Sequence, residues 1–287
     1  MESVEPAISK EVTRMIFATK AYSVNTENPF IYTSRKIGPD YVDMGMVQNS
    51  PKMWDAIIER LAEAVASLRD EKKLKIDRIT GGEVRDLVFS IPVANKLRIP
   101  HAIIRKEEKT HGAGGRFAGQ VNAGEYVVHI ADLMTVGSSA DIWVSAIREE
   151  KATVEYYFVA FDRLQGGGEL LEKLKPPVKL ISLTQRNKEF YDTGEEHGFI
   201  KNRAELNKFN SNPEDWSKNF LRNNPDYIIK HTKIADGSID QKKKEGLEVL
   251  TRGYPELIPE LGPYVAKILK GKKVLDAVPE IGYKPKS

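Results

Sequence analysis

The sequence predicts an α/β fold, with a parallel sheet flanked by helices, through about residue 200. Short apolar runs that suit buried strands alternate with segments whose apolar residues recur at helical spacing. Strands that alternate with helices are typical of parallel sheets with right-handed crossover connections. Ligands on such sheets bind at the carboxyl ends of the strands. The loops after the strands are therefore the expected place for a functional site.

Local signals predict the individual elements. Ser50-Pro51 is a favourable helix start, with serine as the N-cap and proline at the first helical position. A second helix is expected near residues 90–97, where Pro92 is tolerable only in the first turn. A third is expected over residues 139–150. The predicted strands cover residues 77–80, 101–105, 126–131, 153–161 and 178–183.

The pattern changes after Ile200. Asn212-Pro213 and Asn224-Pro225 each combine an N-cap asparagine with a proline at the first helical position. We predict a first domain at residues 1–200, with an N-terminal hood, and an all-helical C-terminal extension at residues 201–287. The lysine run at 242–244 is interpreted as a solvated helix face.

Composition narrows the class of protein. The net charge of the 287 residues is +3, which is too small an excess to indicate nucleic-acid binding. Cysteine is absent from the sequence, so disulfides, thiolate metal sites and cysteine nucleophiles are excluded. Apolar runs fall short of the ~18 residues that a membrane span needs. We expect a soluble, cytoplasmic protein.

A basic segment at residues 105–116, here called the basic flap, follows an apolar run. Glycines at its far end free the backbone, which predicts a mobile flap that closes on a polyphosphate and excludes water. Taken alone, the same segment is equally compatible with a solvated charged loop. Its candidate ligand-binding side chains are Arg105, Lys106, Lys109 and His111.

A second chemical element runs from residue 129 to residue 139. A buried strand ends at Asp132, and a turn containing Gly137 then opens a helix. Backbone N–H groups at such a turn, together with the partial positive charge of a helix N-terminus, form a cradle for phosphate. Asp132 is placed to hold sugar hydroxyls or a Mg²⁺ ion. The predicted phosphate cradle comprises Thr135, Val136, Gly137, Ser138 and Ser139.

These two elements, in this order, resemble the type I phosphoribosyltransferases, and among them the orotate phosphoribosyltransferases. The basic flap matches the flexible loop of that family. Residues 161–167, Phe-Asp-Arg-Leu-Gln-Gly-Gly, are similar to its Asp-Arg-Gln segment, whose arginine binds the orotate carboxylate. Residues 30–34 and 39–43 resemble the hood that covers the base. The resemblance spans roughly residues 8–200.

The resemblance implies an enzyme that transfers the phosphoribosyl group from phosphoribosyl pyrophosphate (PRPP) to orotate. The products would be orotidine 5′-monophosphate, a pyrimidine precursor, and pyrophosphate. It further implies Mg²⁺ as a cofactor, and a homodimer, because the family's loop reaches over the neighbouring subunit's site. The residues that it implies are Lys109, His111 and Asp132 for catalysis; Asp132 for the metal; Arg85, Arg105, Lys106 and the phosphate cradle for PRPP; and Arg163 and Tyr41 for the base.

The chain departs from the family pattern in three places. The first of two adjacent acids at the donor motif is Ala131 here, which leaves Asp132 alone or shifts its task to another residue. Thr33 replaces a basic residue of the hood. The pyrophosphate loop, residues 81–86, carries two acids beside Arg85 in place of a more neutral pattern. Two alternatives therefore remain open: a phosphoribosyltransferase for another base, and a non-catalytic regulator that binds PRPP.

Overall fold

The computed structural model of the chain describes residues 2–109, 115–232, 234–235, 238–239 and 244–268. The strands, in chain order, are β1 (Glu2–Ser3), β2 (Tyr22–Val24), β3 (Phe30–Ile31), β4 (Ile37–Gly38), β5 (Asp40–Val42), β6 (Arg78–Gly82), β7 (His101–Lys109), β8 (Gly115–Ala118), β9 (Tyr126–Met134), β10 (Thr153–Asp162), β11 (Lys179–Gln185), β12 (Ile234–Ala235) and β13 (Ser238–Ile239).

The helices of the described residues occur throughout the chain. They are α1 (Pro6–Ala18), α2 (Pro51–Lys72), α3 (Leu87–Leu97), α4 (Ser138–Glu149), α5 (Gly167–Lys173), α6 (Lys188–Glu196), α7 (Arg203–Ser211), α8 (Pro213–Asn223), α9 (Asp226–Lys230), α10 (Glu245–Glu248) and α11 (Ile258–Ile268). Among these described helices, none has the length and apolar character needed to cross a membrane.

The chain divides into two compact units. Unit 1 comprises Met1–Tyr22 and Val42–Ile200, and unit 2 comprises Ser23–Tyr41 and Lys201–Ser287. Most of the segment expected as the hood therefore belongs with the C-terminal helices. Hydrogen bonds accompany this grouping, because three polar side chains of the C-terminal segment bind the backbone of residues 29 and 37, which flank the expected hood segments. They are Ser217 Oγ donating to Ile37 O (2.8 Å), Tyr227 Oη donating to Pro29 O (2.7 Å) and Tyr254 Oη accepting from Ile37 N (3.1 Å).

Unit 1 is built on a seven-stranded sheet with the order β1-β11-β10-β9-β6-β7-β8. All neighbouring strands are parallel except β7 and β8, which pair antiparallel. The predicted fold class is confirmed, and β8 is an additional edge strand that begins in the last two residues of the basic flap. The parallel register puts the carboxyl ends of β6, β9 and β10 side by side, where a site is expected.

Helix α3 begins at Leu87, three residues before the start near residue 90 that the sequence predicts. The expectation that Pro92 lies in the first turn is therefore wrong, since the helix starts at Leu87. Proline cannot donate to the carbonyl four residues before it, which is that of Val88. The indole Nε1 of Trp54, on α2, donates to this carbonyl instead at 3.1 Å. A side chain from a neighbouring helix thus satisfies the acceptor that proline leaves open.

Unit 2 has a helical core. Ile37 packs in one buried cluster with side chains of the C-terminal helices, including Leu221, Leu250 and Leu261. The Asn212 side chain accepts a hydrogen bond from Asp215 N (3.1 Å), so the predicted N-cap of α8 is confirmed. The helical C-terminal extension is confirmed as well. It also contains the two-residue strands β12 and β13, which pair antiparallel.

Candidate active site

The predicted phosphate cradle lies between β9 and α4. Gly137 is the N-cap of α4 and has a φ of 83°, a conformation that disfavours any residue with a Cβ. A Cβ at this position would also lie 3.1 Å from the Cα of Gly167. Since Gly137 has no side chain to cap the helix, the N–H groups of the first turn are left for a ligand.

A cavity of about 140 Å³ opens at this edge of the sheet. Asp132 borders it together with most of the predicted cradle, and Val136 is exposed beside it. The lining residues are Asp86, Ala131, Asp132, Leu133, Met134, Thr135, Gly137, Ser138, Ser139, Ala140, Trp143 and Tyr157. Hydroxyls, helix N–H groups and carboxylates thus converge on one small space.

Asp132 is a buried carboxylate, with 7% of its surface exposed. Burial raises its pKa to about 7, and the nearby charge of Asp86 adds to this effect. Its Oδ1 accepts a hydrogen bond from Leu133 N at 2.7 Å. A carboxylate with such a pKa exchanges its proton readily near neutral pH, so a cation or a hydroxyl donor in the cavity would favour its ionised form.

The carboxylate of Asp86 reaches the same cavity from the end of the pyrophosphate loop. Its Oδ2 accepts a hydrogen bond from Gly82 N (3.0 Å) and lies 3.5 Å from Nε2 of His129. His129 is fully buried, and its Nδ1 lies 3.0 Å from Thr80 Oγ1. The sequence identifies Asp86 only as an unexplained acid. Its partners lie on β6 and β9, and this tertiary pairing is what brings it to Asp132.

The loop that carries Asp86 is held against α4 by close packing. A Cβ on Gly82 would lie 2.3 Å from the indole of Trp143, so only glycine fits there. Trp143 is 2% exposed and belongs to a buried apolar cluster of unit 1. The strand before the pyrophosphate loop therefore rests directly on the helix that follows the phosphate cradle.

A second cavity, of about 370 Å³, adjoins the pyrophosphate loop. Arg85 and Asp132 both border it. The guanidinium of Arg85 forms a salt bridge with Asp43, and more than half of the Arg85 side chain is exposed. The cation that the sequence assigns to pyrophosphate is thus at the expected edge of the sheet, but it is paired with an acid.

The basic flap begins on β7. Arg105 donates to the backbone carbonyls of Gly115 (3.0 Å) and Phe117 (2.6 Å), so its guanidinium is bonded within the β7–β8 hairpin. Lys106 has an exposed side chain, and its N–H donates to Glu83 Oε1 at 2.9 Å. Lys109 is the last residue of β7 and pairs with Gly115. His111 lies outside the described residues.

Arg163 lies directly after β10. Its backbone N–H donates to Met134 O at 3.0 Å, which ties it to the end of β9. Its Nε is buried and has no hydrogen-bond partner among the described residues. A buried N–H group without an acceptor is costly, so this side chain is suited to receive an anionic ligand.

The other predicted base-binding residue, Tyr41, belongs to unit 2. Its ring stacks on that of Phe30, with 5.5 Å between the ring centroids, and 42% of its surface is exposed. Phe30 and Tyr41 both come from the segments that resemble the hood.

Comparison with known proteins agrees with this geometry. The fold is that of the phosphoribosyltransferases: a crystal structure of orotate phosphoribosyltransferase from Aeropyrum pernix superimposes with a TM-score of 0.54, at 22% identity over 66% of this chain and 99% of that one. An orotate phosphoribosyltransferase of Cereibacter sphaeroides is 30% identical over 218 residues, which cover 73% of this chain and 90% of the relative. That of Listeria monocytogenes serotype 4b is 29% identical over 220 residues, 74% of this chain and all of the relative. This chain belongs to the orotate phosphoribosyltransferase family. No family model matches the chain.

Proposed function

We propose that this protein transfers the phosphoribosyl group of PRPP to orotate, giving orotidine 5′-monophosphate and pyrophosphate in pyrimidine biosynthesis. The observation that carries the proposal is the cavity at the carboxyl end of β9. Asp132 and the phosphate cradle border this cavity in a chain whose relatives are orotate phosphoribosyltransferases. Family membership supports the reaction class, a pentosyl transfer, and the cavity supports the residues that serve it.

The proposed reaction needs groups that stabilise developing charge and groups that position the sugar. Breaking the bond from C1 of the ribose to pyrophosphate leaves positive charge on the sugar and negative charge on the leaving group. Arg85, Lys106 and Lys109 stabilise the leaving pyrophosphate, and His111 donates a hydrogen bond or a proton to it. The phosphate cradle anchors the 5′-phosphate and so fixes C1 relative to the incoming base. Closure of the basic flap excludes the water that would hydrolyse the donor.

Mg²⁺ is proposed as the cofactor. Carboxylate oxygens are the protein ligands that it prefers, and it is commonly held by one or two carboxylates together with substrate phosphates and water. Asp132 meets this requirement, because its carboxylate borders the cavity. Bound there with pyrophosphate, Mg²⁺ would neutralise part of the charge of the leaving group.

Arg163 is proposed to bind the carboxylate of orotate. A guanidinium donates two parallel hydrogen bonds to a carboxylate, which fixes both the position and the plane of the base. The Nε of Arg163, which is buried and has no hydrogen-bond partner among the described residues, supports this role. Tyr41 is proposed to contact the same base.

A homodimer and a cytoplasmic location are also proposed. The dimer follows from the resemblance, in which the basic flap serves the neighbouring subunit's site. Mixing Lys109→Ala protein with Arg163→Ala protein at an orotate concentration where both are impaired tests it, because a mixed dimer would contain one site with both residues intact. Activity that returns on mixing would support the shared site, and sedimentation as a monomer would contradict it.

The reaction itself is tested by following orotate through its ultraviolet absorbance with purified protein, PRPP and Mg²⁺. Loss of orotate that requires PRPP and stops when Mg²⁺ is chelated is the expected result. Calorimetric binding of PRPP without turnover would instead favour another acceptor base or a regulator. A screen of uracil, adenine, guanine and nicotinate would then separate those two alternatives.

A further inference from the structure

The wall of the donor cavity lacks an acid where the resemblance expects one. Ala131 borders the cavity and is 2% exposed, so its methyl group presents an apolar surface beside Asp132. The ribose of a phosphoribosyl donor carries two adjacent hydroxyls, which need acceptors when they leave water. One of these acceptors is therefore missing from the position at which the family carries it.

Asp86 places a carboxylate in that cavity. It lies in the connection between β6 and α3, whereas Ala131 and Asp132 lie on β9. It directly precedes α3, in the loop where the family pattern is neutral and small. Gly81 lets α3 approach β6 closely, since a Cβ there would lie 2.1 Å from Ser90 Oγ. Because β6 and β9 are paired neighbours, this close approach puts Asp86 beside the carboxyl end of β9.

The two oxygens of Asp86 have different surroundings. Oδ2 accepts from Gly82 N and faces Nε2 of His129, which fixes the carboxylate in place. Among the described residues, Oδ1 accepts no hydrogen bond, and 13% of the side chain is exposed. An acceptor that is anchored on one oxygen and open on the other is preorganised for a ligand.

We propose that Asp86 is a donor-binding residue that replaces the acid missing at position 131. With Asp132, it accepts hydrogen bonds from the two ribose hydroxyls of PRPP. This inference rests on the proposed function, since it needs a phosphoribosyl donor in the cavity. The proposal also accounts for an acid in the pyrophosphate loop, because the carboxylate of Asp86 binds the ribose and not the pyrophosphate.

The test is calorimetric titration of PRPP with Mg²⁺ into Asp86→Asn protein. Asparagine keeps an oxygen that can accept from Gly82 N, so the change removes mainly the charge. We expect the Kd for PRPP to rise about tenfold or more, as for the loss of a hydrogen bond to a charged group. In turnover assays, kcat/KM for PRPP should fall while the KM for orotate stays within about twofold.

Two further variants complete the experiment. The double variant Asp86→Asn, Ala131→Asp should recover most of the lost PRPP affinity, because it places an acid at the position where the family carries one. Glu149→Gln removes the same charge from the exposed C-terminal end of α4 and should bind PRPP as the unchanged protein does. An Asp86→Asn protein that binds PRPP normally would overturn the inference, and so would a double variant with no recovery.

If Asp86→Asn protein does not fold, titration of PRPP into the single variant Ala131→Asp still tests the inference. With Asp86 already serving the ribose, a new acid should not tighten PRPP binding, and tightening of more than about threefold would overturn the inference. The proposed function fails separately: if the unchanged protein binds PRPP but does not consume orotate, only the proposed reaction is overturned, and if it binds no PRPP, both are overturned. Normal PRPP binding by the unchanged protein and by Asp86→Asn would overturn only this inference.

Discussion

Asp43 holds the guanidinium of Arg85 in a salt bridge beside the pyrophosphate loop. A ligand that binds Arg85 must compete with this carboxylate. Asp43→Asn should therefore tighten pyrophosphate binding, by up to about fivefold, since exposed ion pairs contribute roughly 0.2–1 kcal/mol. Calorimetry with pyrophosphate and Mg²⁺ measures the effect.

Asparagine is the right replacement because Asp43 also accepts a hydrogen bond from Gly45 N at 3.0 Å, which an amide oxygen preserves. Asp70→Asn is the matched control, an exposed acid on α2 paired with Arg69. Weaker pyrophosphate binding by Asp43→Asn would show that Asp43 helps to position Arg85 and does not compete for it.

Gly137→Ala should weaken PRPP binding and lower the free energy of unfolding. The φ of Gly137 is 83° and the added Cβ would lie 3.1 Å from Gly167, so the change strains both the backbone and the packing under the cradle. Gly124→Ala is the control, because Gly124 has a φ of 81° but nothing within 4 Å of its added Cβ. The control should cost about 1 kcal/mol in urea unfolding and leave PRPP binding intact, whereas Gly137→Ala should cost more.

Arg163→Ala should raise the KM for orotate about tenfold to a hundredfold, the usual range for a lost charge-assisted bond. Arg163→Lys should recover only part of the affinity, since an ammonium cannot make two parallel bonds to a carboxylate. Steady-state kinetics with saturating PRPP separates KM from kcat. An unchanged KM for orotate in Arg163→Ala would exclude this side chain from the base site.

Lys109→Ala should lower kcat by about a hundredfold with little change in Tm, because the proposed role is to stabilise leaving-group charge. Lys52→Ala, which removes an exposed lysine of α2, serves as the control for the loss of one positive charge. Thermal unfolding and orotate turnover are measured on the same preparations. Parallel losses of stability and turnover would contradict a purely catalytic role for the basic flap.

Stability should fall as pH drops from about 6.5 towards 4 partly because of His101. Burial lowers the pKa of His101 to about 4, and the positive charges of neighbouring groups add to this. The unfolded chain, with a histidine pKa near 6.5, binds more protons in this window, so protonation favours unfolding there. The stability contributed by neutral His101 is fully present above pH 6.5 and is lost below it.

Urea unfolding at pH 7.5 and pH 5 tests this, with His101→Gln as the comparison. Glutamine cannot take up the proton but can still bond Ser90 Oγ, which lies 3.0 Å from His101 Nε2. The drop in the free energy of unfolding between the two pH values should be smaller in the variant. An equal drop would assign the pH dependence to other groups.

The sequence predicts the strands of the sheet well, because buried parallel strands are short continuous apolar runs. The strands β9 and β10 are confirmed with extensions of one to three residues. The start of α3 is missed because the rule for Pro92 is local, while the partner that makes an interior proline tolerable is Trp54 on another helix. The edge strand β8 is hidden by glycine, which signals a loop.

The site shows the same limit. Asp132 and the phosphate cradle follow from a contiguous motif, and the structure brings them to one cavity. Asp86 and Asp43 lie far from that motif along the chain, and only strand pairing and helix packing carry them to it. The sequence shows that both residues are acidic, but only the tertiary structure shows their hydrogen-bond and salt-bridge partners.

The contact between Gly82 and the indole of Trp143 also has a consequence for the length of the donor that the site accepts. Gly82 belongs to the pyrophosphate loop, and Trp143 stands one turn beyond the phosphate cradle, so a glycine packed on a buried ring joins these two parts of the site. We therefore expect the distance between the sites for the 5′-phosphate and the pyrophosphate to vary little. Donors whose sugar is longer or shorter than a pentose should fail to span it, however well each end fits by itself.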